Sequence, residues 1–324
     1  MRAALSSAKA RELSGNVDIG SDYRTLHNAA MPKHLLILVF LLISPLAEAW
    51  NGAGHRLSAL IAWQQMSEKT QGAVSEALAR HPDHSRWAEK AGTSEAAAIF
   101  AEASTWPDAI RNDPRFYDEG RQSATPAIPG LPDNARHKHW HYVDLDKNGQ
   151  RTEGEIDHQI DRLTQLLRST AKAEQISHAL PWLMHLVGDI HQPLHVGHHD
   201  DEGGTKTEIE NPLNRRQPFS SLHAYWDELP GPSSLRGKRL EKFAGRLLET
   251  YPAPSQGNTL LWRDESHRLL GSAYPPNGSL LPAITESFDE QSRHIANRRI
   301  TEAGYRLGRL LERIFAARVS RETP

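Results

Sequence analysis

With no cysteine in 324 residues, this chain must do any metal chemistry with imidazoles and carboxylates, and it carries 18 histidines for the purpose. Ten of them fall between His137 and His199. Zinc without thiolate is held by neutral imidazole nitrogens and carboxylate oxygens, and two ligands on one helix must stand three or four residues apart to face the same ion. The pattern His-x-x-x-Asp occurs twice, His185 with Asp189 and His223 with Asp227. A single H-x-x-x-D is weak evidence, since about one arises by chance at this composition. The setting of the first pair strengthens it. In LMHLVGDIHQPLHVG the neighbours Leu183, Leu186, Val187 and Ile190 draw both polar side chains towards a core, where an unpaired carboxylate costs several kcal/mol. A cation supplies the missing partner. His195 follows Pro193, whose ring distorts the helical turn, and is placed to address a second ion beside the first.

The elements that must position these residues are mostly helical. Leu57, Leu60, Ile61 and Met66 mark one apolar face at helical spacing, and Val74, Leu78 and Ala79 mark another, so the chain after Trp50 predicts a helical hairpin. A third helix is expected over Ser94 to Ala103, stopped by Trp106-Pro107. Residues 113–136, with Pro114, Pro126, Pro129-Gly130 and Pro132, predict a surface excursion, and Trp140 to Val143 an extended stretch. Helical periodicity returns over Glu155 to Leu167, Glu174 to Leu186 and on towards His195. Asp200 to Pro218 reads as a short hairpin or a loop, followed by helices over Leu222 to Leu229, Leu235 to Leu248, Leu260 to Leu270 and Glu286 to Phe315. The eight arginines from Arg293 to Arg321 read mainly as a solvated helix face. No internal repeat or linker divides the chain after Trp50, which predicts one mainly α domain.

Composition excludes several alternatives. At 38% hydrophobic and 24% charged residues, with 22 Gly and 20 Pro unevenly scattered, the chain is neither fibrous nor wholly disordered. Its formal charge of −2 gives no bulk attraction to nucleic acid, so binding of that kind needs a local site. The one long apolar run, residues 35–47, has 13 residues, fewer than the roughly 20 that span a bilayer. Lys33 and His34 precede it and Ala47-Glu48-Ala49 follows, the pattern of a cleaved secretory leader. The expected organisation is an upstream extension over 1–30 with translation starting at Met31, a signal peptide over 31–49, and a mature domain over 50–324. Cleavage between Ala49 and Trp50 delivers the domain to a bacterial periplasm or the medium, where a cysteine-free chain must draw its stability from core and metals.

Several segments in order carry a resemblance: WNGAGH at Trp50, STWPDAIR, WHYVDLD, HLVGDIHQPLHVG followed by DEGG, LHAYWD, and the tail elements Trp262-x-x-Glu-Ser and Ala303-Gly304-Tyr305-Arg306-Leu307. Together they resemble the zinc-dependent single-strand-specific nucleases of the S1/P1 type, from Trp50 to near Leu311. The resemblance implies a mainly α, single helical domain of the zinc phospholipase C and P1 nuclease kind around a trinuclear zinc cluster. It places Asp108, His141, His185 and Asp189 on the first zinc, and His195, His223 and Asp227 on the second. Trp50, through its α-amino group and carbonyl, joins His55 and the shared Asp189 on the third. An α-amino group exists at Trp50 only after cleavage, which ties the leader to the chemistry. Arg111 and Asp144 match the catalytic arginine and its carboxylate partner, and Tyr142 the aromatic that stacks on a base. His137, His139, His191, His198 and His199 match no ligand and are expected to be loop or supporting residues.

The activity so implied is hydrolysis of single-stranded DNA and RNA to 5′-phosphorylated products, with dephosphorylation of 3′-mononucleotides, no stable membrane anchor and no obligate protein partner. Two further readings stand beside it. A phospholipase C-like phosphodiesterase shares the cluster, although the WHYVDLD and LHAYWD contexts favour the nuclease; a noncatalytic exported zinc-binding protein has no need of Arg111 and Asp144. Three departures from the family pattern bear on substrate preference: Ser221 before Leu222-His223, Thr205 after Gly203-Gly204, and an additional loop at Asn214 to Pro218.

Overall fold

The first helix begins where Asn51 caps it. The Asn51 side-chain oxygen accepts the Ala53 amide at 2.9 Å, satisfying one of the donors that a helix start leaves open, and α1 runs over Gly52–Gln64. Ser67 caps α2 (Glu68–Ala79) in the same way, which completes the expected hairpin. The computed structural model describes residues 50–146, 148–276 and 280–322; the expected leader and start at Met31 lie outside them.

After α3 (His84–Ala91) and α4 (Ala96–Ala103), the chain departs from expectation at Pro107. This proline opens the short α5 (Trp106–Ala109), sitting in its first turn where the missing amide costs no hydrogen bond. The excursion over residues 113–136 is held down at its far end by Arg136, which donates to the carbonyls of Ile110 and Asp113 and pairs with Asp118. Lys138 to His141 then form a tight helical turn rather than an extended stretch, and the extended backbone starts one residue further on. Strands β1 (Val143–Leu145) and β2 (Arg151–Gly154) pair antiparallel, with Asp144 opposite Glu153.

Helices α6 (Ile156–Ser169) and α7 (Ala173–Asp189) follow, the latter unbroken despite Pro181 in its interior. From Ile176 to Asp189 every residue of α7 is buried, so it is the central rod of the domain. The distortion expected at Pro193 is real: α7 ends at Asp189 and a separate tight turn covers Pro193 to Val196. Strands β3 (Glu208–Glu210) and β4 (Phe219–Ser221) form an antiparallel hairpin whose loop is the additional segment at Asn214 to Pro218. The remainder is helical: α8 (Leu222–Glu228), α9 (Gly237–Thr250), α10 (Thr259–Arg268), α11 (Leu270–Ala273) and α12 (Glu286–Glu322).

The core is one continuous cluster in which α12 lies along α1 and α7 packs against α1, α5 and α6. Contact between α1 and α12 is so close that a methyl group on Gly304 would fall 2.5 Å from the Ile61 side chain. The arginines of α12 are not all solvated. Arg299 and Arg306 are buried, and both pair with Glu265 of α10, while Arg299 also pairs with Glu302. No helix among the described residues is long and apolar enough to cross a membrane.

Candidate metal centre

Five of the expected ligands meet around the C-terminal end of α7. His185 and Asp189 face the same way from consecutive turns, with His185 Nε2 3.1 Å from Asp189 Oδ2. His141 brings its Nδ1 to 3.1 Å from both the His185 Nε2 and Asp189 Oδ2. From α1, His55 stacks on His185 with ring centroids 3.8 Å apart and points its Nε2 at Asp189 Oδ1, 3.3 Å away. Asp108 of α5 completes the set, 3.5 Å from His185 Nε2 and 3.8 Å from His55 Nε2. Gly188 makes this stacking possible, because a Cβ there would stand 2.9 Å from His55 Nδ1. His55 thus addresses both carboxylates, and the trios His55, Asp108, His185 and His141, His185, Asp189 each present ligand atoms within 4.8 Å of one another.

A second group forms where the Pro193 turn meets α8. His195, His223 and Asp227 present ligand atoms within 4.8 Å of one another, and the two ring nitrogens His195 Nε2 and His223 Nε2 are 3.1 Å apart. Ser221 caps α8 by accepting the Ala224 amide at 3.1 Å, so the serine at this position secures the helix start that carries His223. The groups are joined through backbone, since His195 Nδ1 lies 2.6 Å from the carbonyl of His141.

Hydrogen bonds on the far side of the rings decide what these sites can hold. His185 Nδ1–H donates to the Ser104 carbonyl at 2.9 Å, His195 Nδ1–H to that of His141, and His223 Nδ1–H to that of Gly203 at 2.7 Å. A carbonyl only accepts, so each Nδ1 carries the proton and each Nε2 presents a lone pair inward. His195 and His223 therefore aim two lone pairs at each other across 3.1 Å, a repulsive arrangement that a shared cation removes. Neither ring nitrogen of the fully buried His55 makes a hydrogen bond, nor do His141 Nε2 and Asp189 Oδ1. Zinc bound at about 2.0 to 2.2 Å in tetrahedral geometry sets ligand atoms about 3.3 to 3.6 Å apart, close to these separations. The donor set fits that metal.

Electrostatics points the same way. Burial drives His55, His141 and His195 well below the usual imidazole range, with neighbouring imidazoles and Arg111 adding to the effect, so they stand neutral and ready to ligate. Burial also pushes the Asp189 carboxyl up, to about 6, against the pull of His185. For His185 burial works the other way, but the carboxylates of Asp189 and Asp108 outweigh it and push the imidazole up.

Both groups open into a single cleft of about 360 Å³, lined by His141, His195 and His223 together with Arg111, Tyr142 and Asp144. Arg111 Nε stands 3.1 Å from Asp108 Oδ1. Tyr142 is half-buried and its hydroxyl donates to Glu153 Oε1 at 2.9 Å; burial and Glu153 push the phenol up, so it keeps its proton. Thr205 is on the wall as well. Trp50 is fully buried below α1, and the next residue, Asn51, donates its backbone N–H to the carbonyl of Asp227 at 3.1 Å and its side-chain amide to Gly231 at 2.7 Å.

Sequence reasoning left out Gln192 and Asn51, which donate to Asp227 from a side-chain amide and a backbone N–H. His191, expected to be a loop or supporting residue, is buried, donating from Nδ1 to the Val187 carbonyl while its Nε2 accepts from Arg306. Gln192 and Asn51 have no spacing signal, since a turn amide recurs at no period. His137 is stacked on Trp140 at 3.7 Å between two carboxylates, and His139 and His198 are on the surface.

The chain is 26% identical over 304 residues to Endonuclease 4 of Arabidopsis thaliana, covering 84% of this chain and 91% of that protein. It is 28% identical over 199 residues to Endonuclease 1 of the same plant, covering 60% of this chain and 58% of that protein. With Nuclease S1 of Aspergillus oryzae the identity is 21% over 320 residues, covering 88% and 98%. The S1/P1 Nuclease family model matches residues 50–316, the span that holds every ligand described above, and the chain belongs to that family.

Proposed function

We propose that this protein is a zinc-dependent endonuclease that hydrolyses single-stranded DNA and RNA to 5′-phosphorylated products and removes phosphate from 3′-mononucleotides. The observation that carries this reading is the pair of opposed lone pairs on His195 and His223, set beside the buried Asp189 cluster at one cleft with the Arg111 guanidinium and the Tyr142 ring. Three zinc ions are assigned, on Asp108, His141, His185 and Asp189; on His195, His223 and Asp227; and on His55, Asp189 and the amino group and carbonyl of Trp50. When bound, such ions polarise a phosphodiester, make a neighbouring water acidic and stabilise a leaving oxyanion.

The side chains around them do the rest. Arg111, held against Asp108, sets positive charge at the cleft for the phosphoryl oxygens, and Asp144 is assigned as the carboxylate that keeps the guanidinium in place. Water attacks phosphorus and the bond to the 3′ oxygen breaks, which leaves the phosphate on the 5′ side. Tyr142, fixed at its hydroxyl by Glu153, offers its ring to one base, and stacking is indifferent to base identity. A duplex keeps its bases stacked and paired, so single strands enter and duplex does not. Processing belongs to the same reading: translation from Met31, removal of residues 31–49 and export to the periplasm or medium free the Trp50 amino group.

Native intact-mass analysis of the exported protein, together with turnover of single-stranded DNA, RNA, 3′-AMP and phosphatidylcholine, tests the proposal. The expected result is a chain starting at Trp50 with three zinc ions, active on the first three substrates and silent after chelation. Turnover of the lipid alone, or activity unchanged by chelation, would overturn it.

A further inference from the structure

We infer that Gln192 is a positioning residue for Asp227, holding that carboxylate in the one orientation that completes the His195 and His223 site. Gln192 is fully buried in the turn between the two ligand groups. Its amide orientation is fixed by its partners: the oxygen accepts the Leu194 backbone N–H at 2.6 Å, so the nitrogen is the atom that donates to Asp227 Oδ1, at 3.0 Å. With Oδ1 engaged by Gln192, the other oxygen, Oδ2, is the one turned towards His223 Nε2, 3.6 Å away. The two imidazoles of this site are each oriented by a backbone carbonyl at Nδ1. Gln192 does the same for the third ligand, and supporting hydrogen bonds of this kind tune metal affinity.

The turn is rigid for a visible reason. His191, one residue earlier, has both ring nitrogens engaged, and its carbonyl accepts from Arg299 while its Nε2 accepts from Arg306. Of the two buried arginines of α12, Arg299 thus holds the backbone next to Gln192 and Arg306 holds the His191 ring. A glutamine serving only as a cap for Leu194 would need no donor aimed at a carboxylate 35 residues away in sequence.

This inference rests on the reading of the cluster as a zinc site, and the test separates the two. Zinc affinities of the intact, exported protein and of Gln192→Met are measured by competition with a chromophoric chelator, alongside melting temperatures with and without zinc. For the variant, one zinc should bind 10- to 100-fold more weakly while the other two keep their affinity, kcat should fall more than KM changes, and zinc should raise the melting temperature less than it does in the parent. Unchanged affinity for all three ions, with a lowered melting temperature in the zinc-free form only, would reduce Gln192 to a turn cap and overturn the inference. Gln192→Ala, measured beside it, removes the same donor and decides the matter by the same readouts should the methionine variant fail to fold. Failure of the parent protein itself to bind zinc would instead strike the metal reading.

Discussion

Asp189 and Tyr142 stand for two kinds of contribution to one cleft, and their loss should look different. Asp189 has one oxygen against His55 and the other against His141 and His185, so Asp189→Asn alters both sets of ligands at once. Bound zinc per chain should fall, and kcat should drop by more than about a thousandfold, at or beyond the scale of losing one group that stabilises charge in the transition state. Tyr142 touches no ligand side chain in its hydrogen bonds, which run to Glu153 and His139. Tyr142→Ala should keep its zinc and raise KM for single-stranded DNA roughly 5- to 150-fold, the equivalent of about 1 to 3 kcal/mol of stacking. Zinc content by atomic absorption and steady-state kinetics on the two variants check this, and normal zinc and turnover in Asp189→Asn would contradict its shared position.

At the scale of elements, the sequence discloses what has a period and conceals what depends on a distant partner. His185 with Asp189 and His223 with Asp227 are legible because a helix puts residues four apart on one face. Gln192 and Asn51 are not, because an amide reaching across a turn leaves no repeat to read. Arg299 and Arg306 look like solvent-facing charge in the sequence, since nothing in the helix announces that Glu265, on another helix, waits for both. Pro107 reads as a stop although proline serves equally well as a first-turn residue, and only the preceding break after Ala103 tells the two uses apart. These hidden partnerships give the element-scale predictions. Glu265→Ala leaves two buried guanidinium groups short of a counter-charge and should cost about 3 to 5 kcal/mol in urea unfolding, against a small loss for Arg298→Ala, whose side chain is largely exposed. Gly304→Ala must push α12 off Ile61 of α1 and should cost about 1 to 3 kcal/mol. Because His55 rides on α1, the same variant should also weaken zinc binding, which a purely local packing defect would not do.

On the scale of the whole molecule, charge and protons set the working conditions. Residues 50–324 carry 33 Lys and Arg against 36 Asp and Glu, so no bulk positive field draws in nucleic acid, and the assigned cations put the attraction where the reaction occurs. The same domain buries histidines that are not among the candidate ligands. Burial pushes His81 down to about 3 and His178 down to about 4, so both stay neutral in the folded chain well below the pH at which they charge when unfolded. Their folded pKa values are depressed, so neither affects stability above about pH 6.5, where both states are neutral. Below it the unfolded chain takes up protons that the folded chain refuses, and each such histidine should remove about 1.4 kcal/mol of stability per pH unit. The loss should continue for His178 until about pH 4 and for His81 until about pH 3. His178 meets Trp106 edge-on with ring centroids 5.7 Å apart, a contact that a phenyl ring can retain. In His178→Phe the fall in unfolding free energy between pH 6 and pH 5 should therefore be shallower than in the parent by about 1.4 kcal/mol per pH unit, with no difference in slope between pH 7.5 and 8.5. Release of zinc by acid affects parent and variant alike, so the difference between the two curves isolates the histidine. Parallel curves across the whole range would mean that His178 is already protonated in the folded chain.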